Sequence, residues 1–222
     1  MASPILVCND VSIRYMSGDF KEIGIKEFLI RKISGNYKVT DFWADRHITF
    51  SINRGDMLGI IGTNGAGKST LMRLINSMLV PTRGRITLGY NIKIGYYDQE
   101  NRGLHDTNTV FGELRAEYPD KTDLELRSTL ALFLFDADDI QRSVSTLSGG
   151  ERARIKLAIV MMEHGNLLLM DEPSAAIDFL CKKNIVDYIN AFKNSGGSVI
   201  ITTHDTSELS ACDTIYLLKG GR

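Results

Sequence analysis

The chain has 222 residues, 43% of them apolar and 24% charged, and a formal net charge of −1. That size and balance suit one α/β domain with a sizeable core and give no bulk attraction to nucleic acid, so no nucleic-acid partner is expected. Cys8, Cys181 and Cys212 are dispersed without metal-ligand spacing and read as reduced thiols of a cytosolic protein; Met1–Tyr15 lacks a signal-peptide pattern, and apolar runs such as Leu167–Met170 are far shorter than the ~20 residues of a membrane span.

Taken in chain order, Ile5–Val7 and Val11–Tyr15 read as the two arms of an edge strand or hairpin. In the basic stretch Ser17–Asp41, residues Ile25, Phe28, Leu29 and Ile33 recur at helical spacing among Lys26, Glu27, Arg31 and Lys32. That spacing predicts a short amphipathic helix between Gly24 and Gly35. Ile48–Ile52 alternates like a half-buried strand, and Met57–Ile61 is a continuous apolar strand ending at Gly62. Leu71–Met78 is a predicted helix, stopped before Pro81. Arg85–Leu88 and Ile92–Tyr97 are strands. Helical patterning runs from Val110 to Ile140, and another helix from about Gly150 to Met162. Leu167–Met170, Val199–Thr202 and Thr214–Leu218 are strands, with a helix at Leu180–Phe192. This β–α alternation around short apolar strands argues a parallel or mixed sheet covered by helices, with Val110–Ile140 as an inserted helical lobe.

Three segments carry chemistry. Gly62-Thr63-Asn64-Gly65-Ala66-Gly67-Lys68-Ser69-Thr70 matches G-x-x-x-x-G-K-[ST] between a strand and a helix. Backbone N–H groups and the helix N-terminus can cradle phosphates there, Gly62, Gly65 and Gly67 permit the turn and the close approach, Lys68 neutralises phosphate oxygens and Ser69 ligates Mg²⁺. Leu167–Pro173 is an apolar strand delivering Asp171 and Glu172 at its C-terminal end, where open α/β sheets bind ligands. Asp171 suits Mg²⁺ through water, and Glu172 suits the base that polarises attacking water. Leu147-Ser148-Gly149-Gly150-Glu151 opens a helix as a second potential anion site.

In this order the phosphate loop, LSGGE and LLLMDEP resemble the nucleotide-binding domain of the ATP-binding cassette superfamily, over nearly the whole chain. The resemblance implies a P-loop NTPase core with N-terminal antiparallel strands, and one ATPase domain over 1–222. Its core would cover about 1–98 and 165–222 and its helical subdomain about 99–164. It implies ATP and Mg²⁺ as ligands. It further implies a head-to-tail pair, expected to be a homodimer, in which Ser148, Gly149, Gly150 and Glu151 of one subunit close over ATP on the phosphate loop of the other. By the same resemblance Tyr15 stacks on adenine, Gln99 touches Mg²⁺ or the attacking water, Asp178 lies in the loop across the dimer interface, and His204 contacts the γ-phosphate. His47, His105 and His164 match nothing and read as surface residues.

Two branches of the family compete. The inserted Ser17–Asp41 segment and Asp41-Phe42-Trp43-Ala44 are similar to ATPase subunits of polysaccharide, O-antigen and teichoic-acid exporters, and Ser174–Asp178 resembles transporter cassettes in general. This similarity implies a transmembrane permease partner and a cytoplasmic, membrane-peripheral location, and it is the reading the sequence favours. Ile94–Gln99, Glu113–Pro119 and Leu147–Arg154 are instead similar to the soluble translation-factor cassettes, which act on ribosomes.

Overall fold

The computed structural model describes residues 4–17, 40–98, 103–163, 165–175 and 177–218, with the side chains of 15–17 and 40–45 outside that description. The predicted helix around Ile25–Ile33, the permease-facing segment Lys21–Lys38, Gln99 and His164 therefore lie outside the described residues.

Two sheets organise the chain. The first is antiparallel, in the order β2-β1-β4, with β1 at Leu6–Ser17, β2 at Thr40–Ile52 and β4 at Arg83–Leu88. Here the structure corrects the sequence expectation of a broken edge element. The segment is one continuous strand in the centre of the sheet. Register shifts between Cys8 and Val11 absorb the polar Asn9–Asp10 step, with Asp10 in the left-handed region at φ 53°. A bulge of this kind lets a strand carry one extra residue without ending. Asp10 is held there by Arg83 at 2.9 Å and by His47 at 2.6 Å, so the exposed His47 is paired rather than idle.

The second sheet is parallel, in the order β5-β6-β7-β3-β8 among the described residues. It comprises β3 (Met57–Gly62), β5 (Ile94–Tyr97), β6 (Leu167–Asp171), β7 (Ser198–Thr202) and β8 (Thr214–Leu218). Every residue of β6 and β7 is buried, as expected for strands covered on both faces. The helices are α1 (Lys68–Ile75), α2 (Val110–Glu117), α3 (Asp123–Leu132), α4 (Gly149–Met162), α5 (Phe179–Asn194) and the short α6 (Thr206–Ser210). α1 begins three residues earlier than the periodicity predicts and stops at Ile75, where Asn76 caps it and Ser77 turns to φ 57°. α6 is not legible in the sequence: four polar residues and the single Leu209 carry no apolar period.

Local chemistry sets the helix starts. Thr122 with Glu125, and Ser148 with Glu151, form reciprocal capping boxes at α3 and α4. Asp178 caps α5 by accepting from the Cys181 N–H at 3.0 Å. One apolar cluster joins α2, α3 and α4 to the strands through Leu114, Leu126, Leu130, Phe133 and Ile155. A second, around Leu6, Ile48, Ile60, Leu71 and Ile200, packs the antiparallel sheet and α1 onto the parallel one. No described helix is long and apolar enough to cross a membrane. Cys8, Cys181 and Cys212 are free thiols, and burial pushes Cys8 up to about 12.

Candidate active site

The C-terminal ends of β3, β6 and β7 meet at one edge of the parallel sheet, because these strands are neighbours in the order β6-β7-β3. Each end delivers one of the predicted elements. The loop after β3 makes its turn with two glycines in the left-handed region, Gly65 at φ 79° and Gly67 at φ 100°. Thr63, Asn64 and Gly65 are exposed, the Ala66 N–H bonds the Thr63 carbonyl at 3.0 Å, and Gly67 caps α1 without any side chain. The α1 terminus, with Lys68, Ser69 and Thr70 in its first turn, thus presents unpaired N–H groups toward the loop, the arrangement that favours an anion. Gly62 serves differently: it has no left-handed φ, but a Cβ there would sit 2.7 Å from the Leu218 carbonyl oxygen of β8.

Lys68 is 6% exposed, and its ammonium is held inside the site. It donates to the Gly62 carbonyl at 2.8 Å and to His204 Nε2 at 2.9 Å, and it lies 3.3 Å from Glu172 Oε1. His204 Nε2 is in turn 3.4 Å from the same carboxylate oxygen. Lys68, Glu172 and His204 come from three different elements and converge within 3.4 Å of one another.

Asp171 ends β6 and is 1% exposed. Its Oδ1 accepts from the Thr202 hydroxyl at 2.6 Å, while Oδ2 is buried with no hydrogen-bond partner. Burial pushes its pKa up, and the Ser69 and Thr202 hydroxyls pull it back. A buried carboxylate oxygen without a hydrogen-bond partner suits a hydrated divalent cation, and with the Ser69 hydroxyl acting on the same carboxylate the donor set fits Mg²⁺. No group of three or more His, Cys, Asp or Glu poised for a metal occurs among the described residues.

Glu172 adopts φ 49°, an uncommon conformation for a residue with a Cβ. Its N–H is shared between the Thr202 carbonyl and the Thr202 hydroxyl, each at 3.0 Å. Beyond it opens a cavity of about 280 Å³ lined by Glu172, Ser174, Lys182, Thr203, His204 and Asp205. Sequence reasoning missed Thr202. Its position at the end of a buried strand, registered opposite Asp171, was the signal, but only strand pairing makes that signal readable.

The remaining predicted residues stand elsewhere. Tyr15 lies on β1 opposite Phe42, its side chain outside the described residues. The Ser148–Glu151 turn and Asp178 are both engaged in capping. The Ser148 hydroxyl donates to Glu151 Oε2 at 2.7 Å, and the Ser148 N–H bonds the same atom. Gly149 and Gly150 are left to offer first-turn N–H groups. Burial pushes the Glu151 carboxyl up, but hydrogen bonds from Ser148 and Arg142 outweigh it and hold the pKa at about 2.

Comparison with known proteins fits this geometry. The family model described as "ABC transporter" matches residues 46–175. The putative ATP-binding protein YdiF of Bacillus subtilis is 39% identical over 158 residues, 71% of this chain and 24% of that protein. The energy-dependent translational throttle protein EttA of Mycobacterium tuberculosis (strain H37Rv) is 33% identical over 165 residues, 72% of this chain and 29% of that protein. The chain therefore spans roughly a quarter of the length of these relatives. Among solved structures, the dimeric post-hydrolysis ATP-binding cassette MJ0796 bound to ADP and Pi superposes with a TM-score of 0.76, at 20% identity over 97% of this chain and 95% of that one. The ATP-binding subunit of an ABC transporter superposes at 0.73, with 22% identity over 98% and 87%. The family match and the shared fold, together with a phosphate loop facing paired carboxylates, place this chain in the ATP-binding cassette family, as an ATPase domain of that family.

Proposed function

We propose that two cassettes close head to tail on two Mg-ATP molecules and open again after hydrolysis, and that this cycle drives a partner. The convergence of Lys68, Glu172 and His204 within 3.4 Å of one another carries the reading. In this assignment Tyr15 stacks on adenine, and the N–H groups and Lys68 of the loop Gly62–Thr70 hold the phosphates. Ser69, Asp171 and Gln99 hold Mg²⁺, which when bound draws charge from the β- and γ-phosphates. Glu172 orients and polarises the attacking water, and His204 contacts the γ-phosphate. Ser148, Gly149, Gly150 and Glu151 of a second copy, flanked by Asp178, complete the site.

The Lys68–Glu172 contact also fixes what ATP must displace: the carboxylate occupies the ammonium that the γ-phosphate needs. Glu172→Gln removes both this competitor and the water-polarising charge. The variant should bind ATP more tightly than the parent, lose turnover by about 10²–10⁴-fold, and accumulate as an ATP-bound dimer in size-exclusion chromatography with light scattering. Turnover at the parental rate, or a monomer in saturating ATP, would refute the assignment.

Different observations support two partners. We infer a ribosome-directed role first. It is supported by the 33% identity to a protein named a translational throttle, and by the Ile94–Tyr97 and Leu147–Arg154 segments that resemble translation-type cassettes. The exporter reading favoured by the sequence rests on Ser17–Asp41, of which 18–39 lie outside the described residues, and on Ser174–Asp178. It predicts co-purification with a permease through Lys21–Lys38. ATP-dependent, salt-sensitive co-sedimentation of the Glu172→Gln variant with ribosomes supports the first. Flotation with membranes, without ribosome binding, supports the second.

A further inference from the structure

One buried hydroxyl stands behind both carboxylates of the site. Thr202 is fully buried at the end of β7, registered directly opposite Asp171 on the parallel neighbour β6. Its Oγ1 donates to Asp171 Oδ1 at 2.6 Å, and the same oxygen accepts from the Glu172 N–H at 3.0 Å. A hydroxyl has one proton, and here the proton goes to Asp171, which leaves a lone pair facing Glu172. The two bonds are therefore mutually dependent. Asp171 fixes the direction of the hydroxyl, and the hydroxyl then fixes the peptide that carries Glu172.

That peptide needs fixing, because Glu172 sits at φ 49°, where a residue with a Cβ is held only by its surroundings. The Thr202 carbonyl supplies half of the restraint and the hydroxyl the other half. At the Asp171 end, occupying Oδ1 leaves Oδ2 as the oxygen without a hydrogen-bond partner. The hydroxyl thus selects which carboxylate oxygen is presented. A hydrophobic residue of the same shape at this strand end would pack equally well but would do neither.

We propose that Thr202 is a positioning residue for the ATPase reaction: its hydroxyl sets the oxygen that Asp171 offers to the cation and the backbone conformation from which Glu172 addresses water. The inference rests on the roles assigned to Asp171 and Glu172. It predicts a split that a purely structural threonine would not produce. Thr202→Val keeps the volume and removes the hydroxyl. In this variant kcat should fall at least about tenfold, the equivalent of one hydrogen bond. The KM for ATP should stay within about threefold, while the Mg²⁺ concentration for half-maximal turnover rises. Thr202→Ser keeps the hydroxyl and should return kcat and the Mg²⁺ dependence to within about threefold of the parent.

A folded valine variant with parental kcat and Mg²⁺ dependence would overturn the inference, as would a serine variant as impaired as the valine one. Should the valine variant fail a thermal-unfolding check, Thr202→Cys against Thr202→Ser makes the same comparison, since a thiol bonds weakly: the cysteine should be the slower by about tenfold, and equal rates would refute the role. Glu172→Gln separates the two levels. If it turns over normally, the assignment of Glu172 fails. If it is inactive while Thr202→Val is normal, the Thr202 inference alone fails.

Discussion

Replacing Gly62 by alanine tests why the phosphate loop begins where it does. Of the three glycines in the loop, Gly65 and Gly67 hold left-handed backbones, whereas Gly62 does not. Its constraint is contact: an added Cβ would lie 2.7 Å from the Leu218 carbonyl oxygen and 3.0 Å from the Ala66 Cβ. Ordinary non-bonded contact is about 3.5 Å, so β3 and β8 would have to part by most of an ångström. Neither side is a flexible side-chain end, since Leu218 contributes backbone already paired in the sheet. Overpacking of this kind costs about 1–3 kcal/mol. For a domain of this size, 2 kcal/mol lowers the melting temperature by about 4–8 °C. The strain enters at the carbonyl that accepts from Lys68, so ATP affinity should fall as well, by about tenfold or more. Differential scanning calorimetry and a nucleotide-binding titration read the two effects separately. Gly65→Ala is the control: its surroundings are open, its φ is 79°, and only a conformational penalty of about 1–2 kcal/mol is expected. If Gly62→Ala melts and binds ATP like the parent, the close approach of β8 does not explain the glycine.

Two further predictions concern buried and capped carboxylates. Glu151 has a folded pKa of about 2, so its stabilisation is complete above the unfolded glutamate range near 4.5 and is lost as pH falls from there toward 2. Glu151→Ala should cost about 1 kcal/mol at pH 7 by removing the α4 capping box, and denaturant titrations of parent and variant should converge toward pH 2. Glu208 behaves oppositely. It is 2% exposed, with one carboxylate oxygen bonded to the Thr203 hydroxyl and the other unpartnered, and burial raises its pKa. The folded state therefore binds this proton more tightly, and stability is lost as pH rises from the unfolded value through the folded one. Glu208→Gln should raise stability at pH 8 relative to the parent. The gain should disappear below about pH 4, and a gain constant across that range would show that the carboxyl charge is not the cause.

What the sequence made legible was chemistry written in short contiguous segments. Gly62–Thr70 and Leu167–Glu172 each combine an apolar strand with the groups at its end, so strand and site are read together. Lys68, Glu172 and His204 converge because each follows a recognisable buried strand. Thr202 escaped because a threonine closing a β-branched run, Val199-Ile200-Ile201-Thr202, fits strand propensity without further explanation. Only the pairing with Asp171 reveals its hydroxyl as a site component. The continuity of β1 escaped for a similar reason: Asn9–Asp10 looks like a turn until the cross-strand partners Thr49 and Arg83 hold it in the sheet. The cap function of Asp178 was also hidden, since a family position read for its interface role draws attention from the helix that starts beside it.

The caps at Ser148 and Asp178 bear on the energetics of opening. Each of these side chains already satisfies a helix N-terminus within its own subunit. A closed pair that recruited both hydroxyl and carboxylate across the interface would uncap α4 and α5 in each copy, at about 1 kcal/mol per helix. In the head-to-tail pair proposed above, four such losses would oppose closure by about 4 kcal/mol, which nucleotide bridging the pair would have to offset.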